Sequence, residues 1–369
     1  MKLCDNAPNK GLKNSGKNIR INNLFYKKIF CKSRILPFEM NFYDYNLEEN
    51  SKIHDIFIFL DKNYIQDPKK HFRFNYIHEF LKNNLLSPYW DSSKNLGLRF
   101  KRNRKIFGFV SAINRKLFYF YFYLPVSEIN FLCVKEILRK KKLVTVLINE
   151  ITRRQNLIGY LEAIFTTGVS FGDFIAKTNF YHLYLRKKKL IKFGFIPEKG
   201  MKKNFNIQLS VKHQGEIFGE MLFKKMSKKL LNAELYNFFG LTECDYWFFT
   251  ISGVFYKLNL YCQSKLNKIG FVSFFSLPTK FIKSKKKLYL LSAYSYYNVL
   301  PTSGMSSFLT GLSISKKLGF DLFNLISENL DNIFLSFFGF RLGYGKLQYY
   351  ITNIKYNRIK TSMNSLLFL

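Results

Sequence analysis

Two kinds of segment alternate along most of this chain, and that alternation limits the folds open to it. The runs KIFGFVSAI (residues 105–113) and PVSEINFLCV (125–134) are rich in aromatic and β-branched residues, which is typical of strands. The runs HDIFIFLDKNYI (54–65) and KKLVTVLINEITRRQN (141–156) carry apolar residues at helical spacing. Strands that alternate with helices in this way predict a mixed α/β fold.

The second half of the chain repeats this pattern. Helices are predicted over residues 216–231 and 305–320, because apolar residues recur there every three or four positions. Strands are predicted over residues 271–278, 287–299 and 346–354, which are short and aromatic. The two halves therefore have a similar composition of strands and helices.

The length of the chain fits two domains. It has 369 residues, and a domain usually contains about 100–200. The first 35 residues are polar, basic and weakly patterned, and a polar stretch near residue 200 could act as a linker. We therefore predict a basic N-terminal arm (1–35), a first half (36–205) and a second half (206–369).

Neither of the two most apolar runs is long enough for a membrane span. LFYFYFYLPV (117–126) and WFFTISGVFY (247–256) fall short of the ~20 apolar residues that a spanning helix needs, so both are predicted to be buried strands. The first residues lack the apolar core of a secretory signal.

The five cysteines are scattered, which argues against a disulfide framework or a clustered zinc site. These features predict a cytoplasmic protein without a bound metal.

The chain is strongly basic. Lysine and arginine outnumber aspartate and glutamate by 59 to 24, a formal net charge of +35, while the apolar fraction of 47% excludes a disordered chain. The basic runs at residues 99–105, 139–142, 186–190 and 283–287 are short and spread along the whole chain. We expect a solvated basic face with weak attraction to polyanions such as RNA, ribosomes or anionic membrane surfaces, and no specific nucleic-acid partner.

One basic run has a distinctive context. Between Glu128 and Arg154 a predicted strand leads into a basic turn, and the turn leads into an amphipathic helix. A helix N-terminus presents free N–H groups and a partial positive charge, which attract phosphate. The segment could cradle a pyrophosphate, although it has none of the glycines of a phosphate-binding loop, or it could be an ordinary basic helix cap.

Several strings along the chain resemble the N-myristoyltransferase family. EINFLCV, RKKKLVTVLI, EITRR and AIFTTGV are similar to one signature of that family, and NYIQDPKKHFRFNYIHEFL, SFFSLP, SAYSYYNV and GYGKLQYY are similar to others in the same order. The resemblance runs from about residue 36 to residue 369. It implies two acyltransferase-like halves of the GNAT type, related by pseudo-two-fold symmetry around a saddle-shaped mixed β-sheet.

The same resemblance implies an activity. Members of the family transfer myristate from myristoyl-CoA, a co-substrate, to the N-terminal glycine of proteins, with no permanently bound cofactor. The first half would bind the acyl-CoA, and the second half would supply most of the peptide groove. By this resemblance the partners of the chain are myristoyl-CoA and glycine-started peptides or nascent proteins.

The resemblance also implies how the reaction is catalysed. The backbone amides of Phe131 and Leu132 would stabilise the oxyanion, the C-terminal carboxylate of Leu369 would take the proton of the amine, and Thr166 would lie near that amine. A bulge at the end of the strand would free the two amides. The implied acyl-CoA contacts are Tyr26, Asn63, Phe131, Leu132, Cys133, Val134, Arg139, Lys140, Lys141, Lys142, Leu143 and Val144.

The implied peptide groove departs from the family pattern at a few positions. Its residues are Tyr64, Asp67, Phe72, Phe74, Asn130, Thr166, Gly168, Phe180, His182, Ser273, Tyr294 and Leu347. Phe180 replaces an expected tyrosine, Tyr344 stands where the family has an aspartate, and only Asp67 remains of an acidic cluster. Weaker selection for lysine in the distal part of the substrate is therefore expected.

Two other functions remain open from the sequence alone. A basic protein associated with RNA or ribosomes could use this fold without catalysis, and would not need NFLCV or a fixed C-terminus. Another acyltransferase of the same architecture could use a different acyl chain or acceptor, since a fold does not determine a function.

Overall fold

The computed structural model describes residues 36, 39–64, 72–196, 219–249, 251–261, 269–282, 288–299, 304–326 and 332–368. The strands are β1 (Met40–Asp44), β2 (Phe72–Phe74), β3 (Asn95–Phe100), β4 (Ile106–Tyr119), β5 (Phe122–Val134), β6 (Glu162–Thr167), β7 (Ala176–Tyr184), β8 (Leu235–Phe238), β9 (Phe255–Tyr261), β10 (Ile269–Ser276), β11 (Thr279–Phe281), β12 (Tyr289–Leu290), β13 (Ser292–Val299), β14 (Leu322–Ile326) and β15 (Arg341–Ile351). The helices are α1 (Asn50–Asn63), α2 (His78–Leu85), α3 (Leu143–Leu157), α4 (Lys187–Lys192), α5 (Gly219–Leu230), α6 (Leu241–Trp247), α7 (Gly304–Lys317) and α8 (Asn332–Phe337).

The chain divides into two compact units. Unit 1 comprises Met1–Ile65, Tyr76–Lys177 and Leu347–Lys360, and unit 2 comprises Gln66–Asn75, Thr178–Lys346 and Thr361–Leu369. The boundary expected near residue 205 lies outside the described residues, as does the arm expected over residues 1–35.

Unit 1 is built on a mixed sheet covered by helix α3. The strand order is β1-β3-β4-β5-β6, with the end of β15 beside β6, and among these described strands β5 and β6 pair in parallel while the other neighbours are antiparallel. Leu143, Leu147 and Ile151 of α3 pack into the core against β3 and β4. A Cβ atom at Gly108 of β4 would lie 3.1 Å from Cδ1 of Leu147, so glycine permits the close approach of the helix.

The main strands of unit 2 also pair in a mixed arrangement. The strand order is β7-β14-β13-β10-β9, in which β13 and β14 are parallel, and β2, β11 and β12 form a small separate sheet. Phe308 and Leu312 of α7 enter the core of the unit beside Val272 and Phe274 of β10. The mixed α/β class predicted from the sequence is confirmed, and so are the helices predicted around residues 54–65, 141–156 and 305–320.

The two most apolar runs are not simple buried strands. Residues 117–126 form a hairpin in which β4 and β5 meet at Phe120, whose φ is 53°, and at Tyr121, which is 89% exposed. Residues 247–256 join the end of α6 to the start of β9 through a turn with Gly253 at φ 79°. The prediction of a strand there was wrong, because a short aromatic run does not distinguish a helix end from a strand.

Two further observations concern membranes and cysteines. Within the described ranges, none of the helices is long and apolar enough to cross a bilayer. Cys133 and Cys244 are both buried. Burial and the nearby carboxylates of Glu243 and Asp245 raise the pKa of Cys244 to about 12, so this thiol stays protonated and unreactive.

Candidate active site

Strand β5 contains a bulge at Phe131 and Leu132. Its pairing with β4 joins Asn130 to Ser111 and Cys133 to Phe109, so two residues of β5 face one residue of β4. Phe131 has a φ of 53°, in the left-handed region that bulky residues rarely adopt. A bulge interrupts the ladder of backbone hydrogen bonds, so the bulge expected from the sequence is confirmed at the expected place.

Aromatic rings surround this bulge. The ring centroid of Phe131 lies 5.9 Å from that of Tyr64 and 5.5 Å from that of Tyr76, and the two tyrosine rings are 5.5 Å apart. Burial raises the pKa of Tyr64, with Cys133 acting in the same direction, while a hydrogen bond from the Phe131 backbone opposes the rise. That bond stabilises the phenolate, so it comes from an N–H group. The Phe131 backbone thus lies within hydrogen-bond reach of the Tyr64 hydroxyl.

The residue before the bulge is held by a buried charged pair. Asn130 donates from Nδ2 to Oε1 of Glu128 at 2.5 Å, and Glu128 accepts at Oε2 from Nε of Arg115 at 2.8 Å. The hydroxyl of Ser111 donates to the backbone carbonyl of Asn130 at 3.2 Å. Both the backbone and the side chain of Asn130 are thus fixed.

The basic turn follows directly from β5. A 3₁₀ helix (Glu136–Lys141) leads to Lys142, whose φ is 57°, and α3 starts at the next residue with no side chain capping its first turn. Arg139 donates to the carbonyl of Asn63 at 2.5 Å and to that of Val134 at 3.3 Å, and the Glu136 amide donates to Oδ1 of Asn63 at 3.4 Å. An uncapped helix N-terminus thus follows a basic turn in which Arg139 is anchored to the end of α1.

The cations of this turn are exposed. Arg139, Lys140, Lys141 and Lys142 all face solvent, while Leu143 is buried in the core of unit 1 and Val144 is partly buried against it. Exposed cations beside free helical amides suit an anionic ligand such as a pyrophosphate.

Three more predicted residues lie on the β6 side of unit 1. Thr166 is half-buried on β6, with Tyr349 of β15 as its Cα partner. Gly168 follows the end of β6 and is exposed, and Leu347 is half-buried on β15. Among the hydrogen bonds given for the described residues of β6 and β15, none joins Thr166 to the bulge at Phe131 and Leu132.

The predicted residues of unit 2 form aromatic contacts and one polar pair. Phe72 packs on Phe281 at 4.8 Å, and Phe74 lies 6.3 Å from Tyr294. His182 has Nδ1 2.6 Å from Oδ1 of Asn324, and Phe180 lies two residues earlier on β7. Burial lowers the pKa of His182 although the bond to Asn324 opposes this, so the ring stays neutral near pH 7.

Ser273 is not exposed to solvent, although the resemblance implies that it belongs to the peptide groove. It is fully buried on β10, and its hydroxyl donates to the carbonyl of Tyr297 at 2.6 Å. Burial raises the pKa of Tyr294, which favours its neutral form as a hydrogen-bonding group.

The last described residues are held tightly within unit 2. Asn237 donates from Nδ2 to the carbonyl of Leu367 at 3.2 Å, and the Leu367 amide donates to the hydroxyl of Tyr297 at 3.2 Å. The Ser365 amide donates to the carbonyl of Leu235 at 2.8 Å. Leu369, like Tyr26 and Asp67, lies outside the described residues, so these three assignments stay predictions.

Comparison with known proteins decides the family. The model for the N-terminal domain of myristoyl-CoA:protein N-myristoyltransferase matches residues 21–178, and the model for its C-terminal domain matches residues 219–366. This chain belongs to the N-myristoyltransferase family. The resemblance inferred from the sequence is therefore confirmed, and the chain is an acyltransferase by family, with the two domains that the family models define.

Relatives of the family are similar over most of their length. Glycylpeptide N-tetradecanoyltransferase of Plasmodium falciparum is 33% identical over 82% of this chain and 76% of that protein. The Drosophila melanogaster enzyme of the same name is 30% identical over 86% of this chain and 70% of that protein. The crystal structure of Saccharomyces cerevisiae N-myristoyltransferase with bound myristoyl-CoA matches with a TM-score of 0.88 at 24% identity, over 100% of this chain and 95% of that chain.

Sequence reasoning missed several residues that shape the candidate site. Tyr76 contacts the bulge, and Arg115 with Glu128 holds Asn130. Asn237 and Tyr297 anchor the C-terminal segment. The sequence does carry one signal for such a residue, because Glu128 is a charged residue inside a predicted apolar strand. Among the described residues, His, Cys, Asp and Glu form no group of three or more suited to a metal ion.

Proposed function

We propose that this chain transfers myristate from myristoyl-CoA to the N-terminal glycine amine of proteins. The observation that carries the proposal is the bulge at Phe131 and Leu132, eight residues before the basic turn that leads into α3. One continuous segment thus offers two backbone amides and a cationic helix N-terminus. A long-chain acyl-CoA carries a thioester and a pyrophosphate, and it fits both features.

The chemistry follows from these groups. The amine nitrogen attacks the thioester carbon, and negative charge develops on the carbonyl oxygen. Preorganised amides of Phe131 and Leu132 would stabilise that charge, an effect usually worth about 3–4 kcal/mol per donor. The carbon–sulfur bond then breaks, an amide forms, and CoA leaves as a thiolate that takes up a proton.

A base must take a proton from the glycine ammonium so that the neutral amine can attack. We assign that role to the C-terminal carboxylate of Leu369, with Thr166 as a hydrogen-bond acceptor for the amine. A free α-carboxylate has a pKa of about 3.3–3.7, so it needs fixed proximity to act as a base. The burial of Leu366 and Leu367 supports this proposal, because both side chains, two and three residues before Leu369, are at most 2% exposed.

A thiol-release assay tests the reaction. Myristoyl-CoA with a glycine-started peptide should release CoA, and the same peptide started with alanine should not. If both peptides, or neither, released CoA, the assignment of a glycine-specific transfer would be wrong. Comparison of acyl chains of different length then defines the donor.

The carboxylate role has its own test. One glycine appended after Leu369 moves the charge away from the site, and general-base catalysis contributes about 10²–10⁴-fold. We expect a loss of kcat in that range, and no loss for the matched chain with one glycine added at the N-terminus. Full activity of the C-terminally extended chain would refute the role.

We also propose weak association with polyanionic surfaces, in the cytoplasm. The exposed cations at residues 139–142 support an attraction without sequence selectivity. Binding to anionic vesicles or to RNA should then vanish at high salt, and salt-resistant binding to one RNA sequence would contradict the proposal.

A further inference from the structure

Strand β5 buries a carboxylate three residues before the bulge. Glu128 has an exposed fraction of 0%, and its Oε2 lies 2.8 Å from Nε of Arg115, which is only 6% exposed. Burying an ion pair costs desolvation that well-packed apolar residues would avoid. A role beyond stability is therefore expected for this pair.

The pair determines which way the amide of Asn130 faces. A carboxylate paired with a guanidinium only accepts hydrogen bonds, so Asn130 must turn its NH₂ group toward Glu128, as the 2.5 Å contact between Nδ2 and Oε1 shows. This leaves Oδ1 of Asn130 for another partner. Asn130 is half-buried rather than buried, and it directly precedes the bulge.

We propose that Glu128 is a positioning residue that fixes the Asn130 amide so that its Oδ1 accepts an N–H group of the incoming glycine. The inference rests on the proposed function. An N-terminal glycine presents N–H donors in its amine and in its first peptide group, so only an acceptor complements it. A reversed amide would present its own NH₂ group to those donors. Donors and acceptors thus alternate from Arg115 through Glu128 and Asn130 to the substrate.

The substitution Glu128→Gln tests this role. Glutamine can donate as well as accept, so the Asn130 amide is free to reverse. Loss of one such hydrogen bond corresponds to about a tenfold change. We expect kcat/KM for a glycine-started peptide to fall about tenfold, mainly through the KM of the peptide. The Kd of a non-hydrolysable thioether of myristoyl-CoA should stay within about twofold of wild type.

Glu150→Gln is a matched control. Glu150 is also buried, at 3% exposure, and it pairs with Arg153 at 2.7 Å and with Arg154 at 2.9 Å on α3. The chemical change is the same, and so is the loss of an ion pair. We expect a lower denaturation midpoint for both variants and a raised peptide KM for Glu128→Gln alone. Equal effects on peptide KM would overturn the proposal.

A double-mutant cycle with Asn130→Ala separates positioning from general damage. If Glu128 acts through Asn130, the variant Asn130→Ala with Glu128→Gln has the same peptide KM as Asn130→Ala alone. Losses that multiply would overturn the proposal. Where Glu128→Gln does not fold, Glu128→Asp, which keeps the charge but shortens the reach to Asn130, takes its place in the cycle.

Failure of this inference differs from failure of the proposed function. If the proposed function is wrong, the wild-type chain either releases no CoA with glycine-started peptides or releases as much with alanine-started ones. If only the positioning role is wrong, wild type turns over normally and Glu128→Gln has the same peptide KM as wild type.

Discussion

Gly343 of β15 lies where a side chain has no room, and alanine there should displace His182. A Cβ atom at this position would collide with Nε2 of the imidazole, and it would lie 2.8 Å from Cδ2 and 3.2 Å from the carbonyl oxygen of Phe180. The ring cannot move aside freely, because its Nδ1 is 2.6 Å from Oδ1 of Asn324, which is 1% exposed. The clash therefore strains either β7 or the bond between His182 and Asn324.

The cost can be worked out from its parts. Overpacking usually costs about 1–3 kcal/mol, and loss of the His182–Asn324 hydrogen bond adds about 1 kcal/mol. The smaller conformational entropy of alanine in the unfolded chain offsets about 0.4–1 kcal/mol. We expect Gly343→Ala to lower the free energy of unfolding by about 2 kcal/mol, measured by urea denaturation. Peptide KM should rise while the Kd of a non-hydrolysable acyl-CoA stays unchanged.

Gly345→Ala is the matched control on the same strand. The nearest atom to its Cβ would be Cδ2 of Phe180 at 3.3 Å, on the edge of a ring that can tilt. Gly345→Ala should therefore lower the free energy of unfolding by less than about 1 kcal/mol. In a second check, Gly343→Ala should lower the free energy of unfolding much less when His182 is also replaced by alanine, because the clashing ring is then absent. Equal losses for the two glycine variants, or an unchanged cost without the ring, would refute the reasoning.

Three further predictions follow from the charges. Peptides with lysine or alanine in their distal part should have similar kcat/KM, because the fully exposed Tyr344 has no carboxylate, whereas the resemblance implies an aspartate at that position. A large preference for lysine would contradict this. Replacing Lys140 and Lys141 by alanine should weaken acyl-CoA binding by up to about fivefold per residue at low salt, and a calorimetric titration near ~1 M salt should show no difference. Burial holds the pKa of His182 below its usual 6.5, so the unfolded chain takes up a proton at a higher pH than the folded chain. The free energy of unfolding should therefore fall as the pH drops below about 6.5. In urea titrations, His182→Gln should remove that part of the pH dependence.

Much of the fold was predictable because local patterns agree with the tertiary structure. Helix α3 shows this, since the apolar stripe of Leu143, Leu147 and Ile151 is the face that packs on the sheet. The basic turn before α3 was predictable for the same reason, because its charges and the helix start lie in one short stretch. The run at 247–256 shows the limit, because Trp247 is buried at the end of α6 and Phe255 is buried at the start of β9, while Phe249 between them is 64% exposed.

The contacts that complete the site depend on sheet register, which no local pattern encodes. Arg115 and Glu128 meet because β4 and β5 pair antiparallel around the hairpin at Phe120. A slip of one residue would turn every side chain of a strand to the other face, so such a pair cannot be read from the spacing of two residues. Asn237 and Tyr297 form hydrogen bonds with Leu367, which lies far from both in the chain. These bonds could not be predicted from the sequence for the same reason.

The identity of residue 131 is itself informative about the bulge. A left-handed backbone costs a non-glycine residue about 1–2 kcal/mol, so glycine would relieve the strain at a φ of 53°. Burying a phenylalanine side chain contributes about 1.5–3 kcal/mol, and the ring contacts to Tyr64 and Tyr76 add to it. Packing therefore outweighs strain at Phe131, which is 4% exposed. Because the ring is anchored and φ is restricted, the backbone at Phe131 is fixed before any ligand arrives, which is the preorganisation that the proposed oxyanion hole would need.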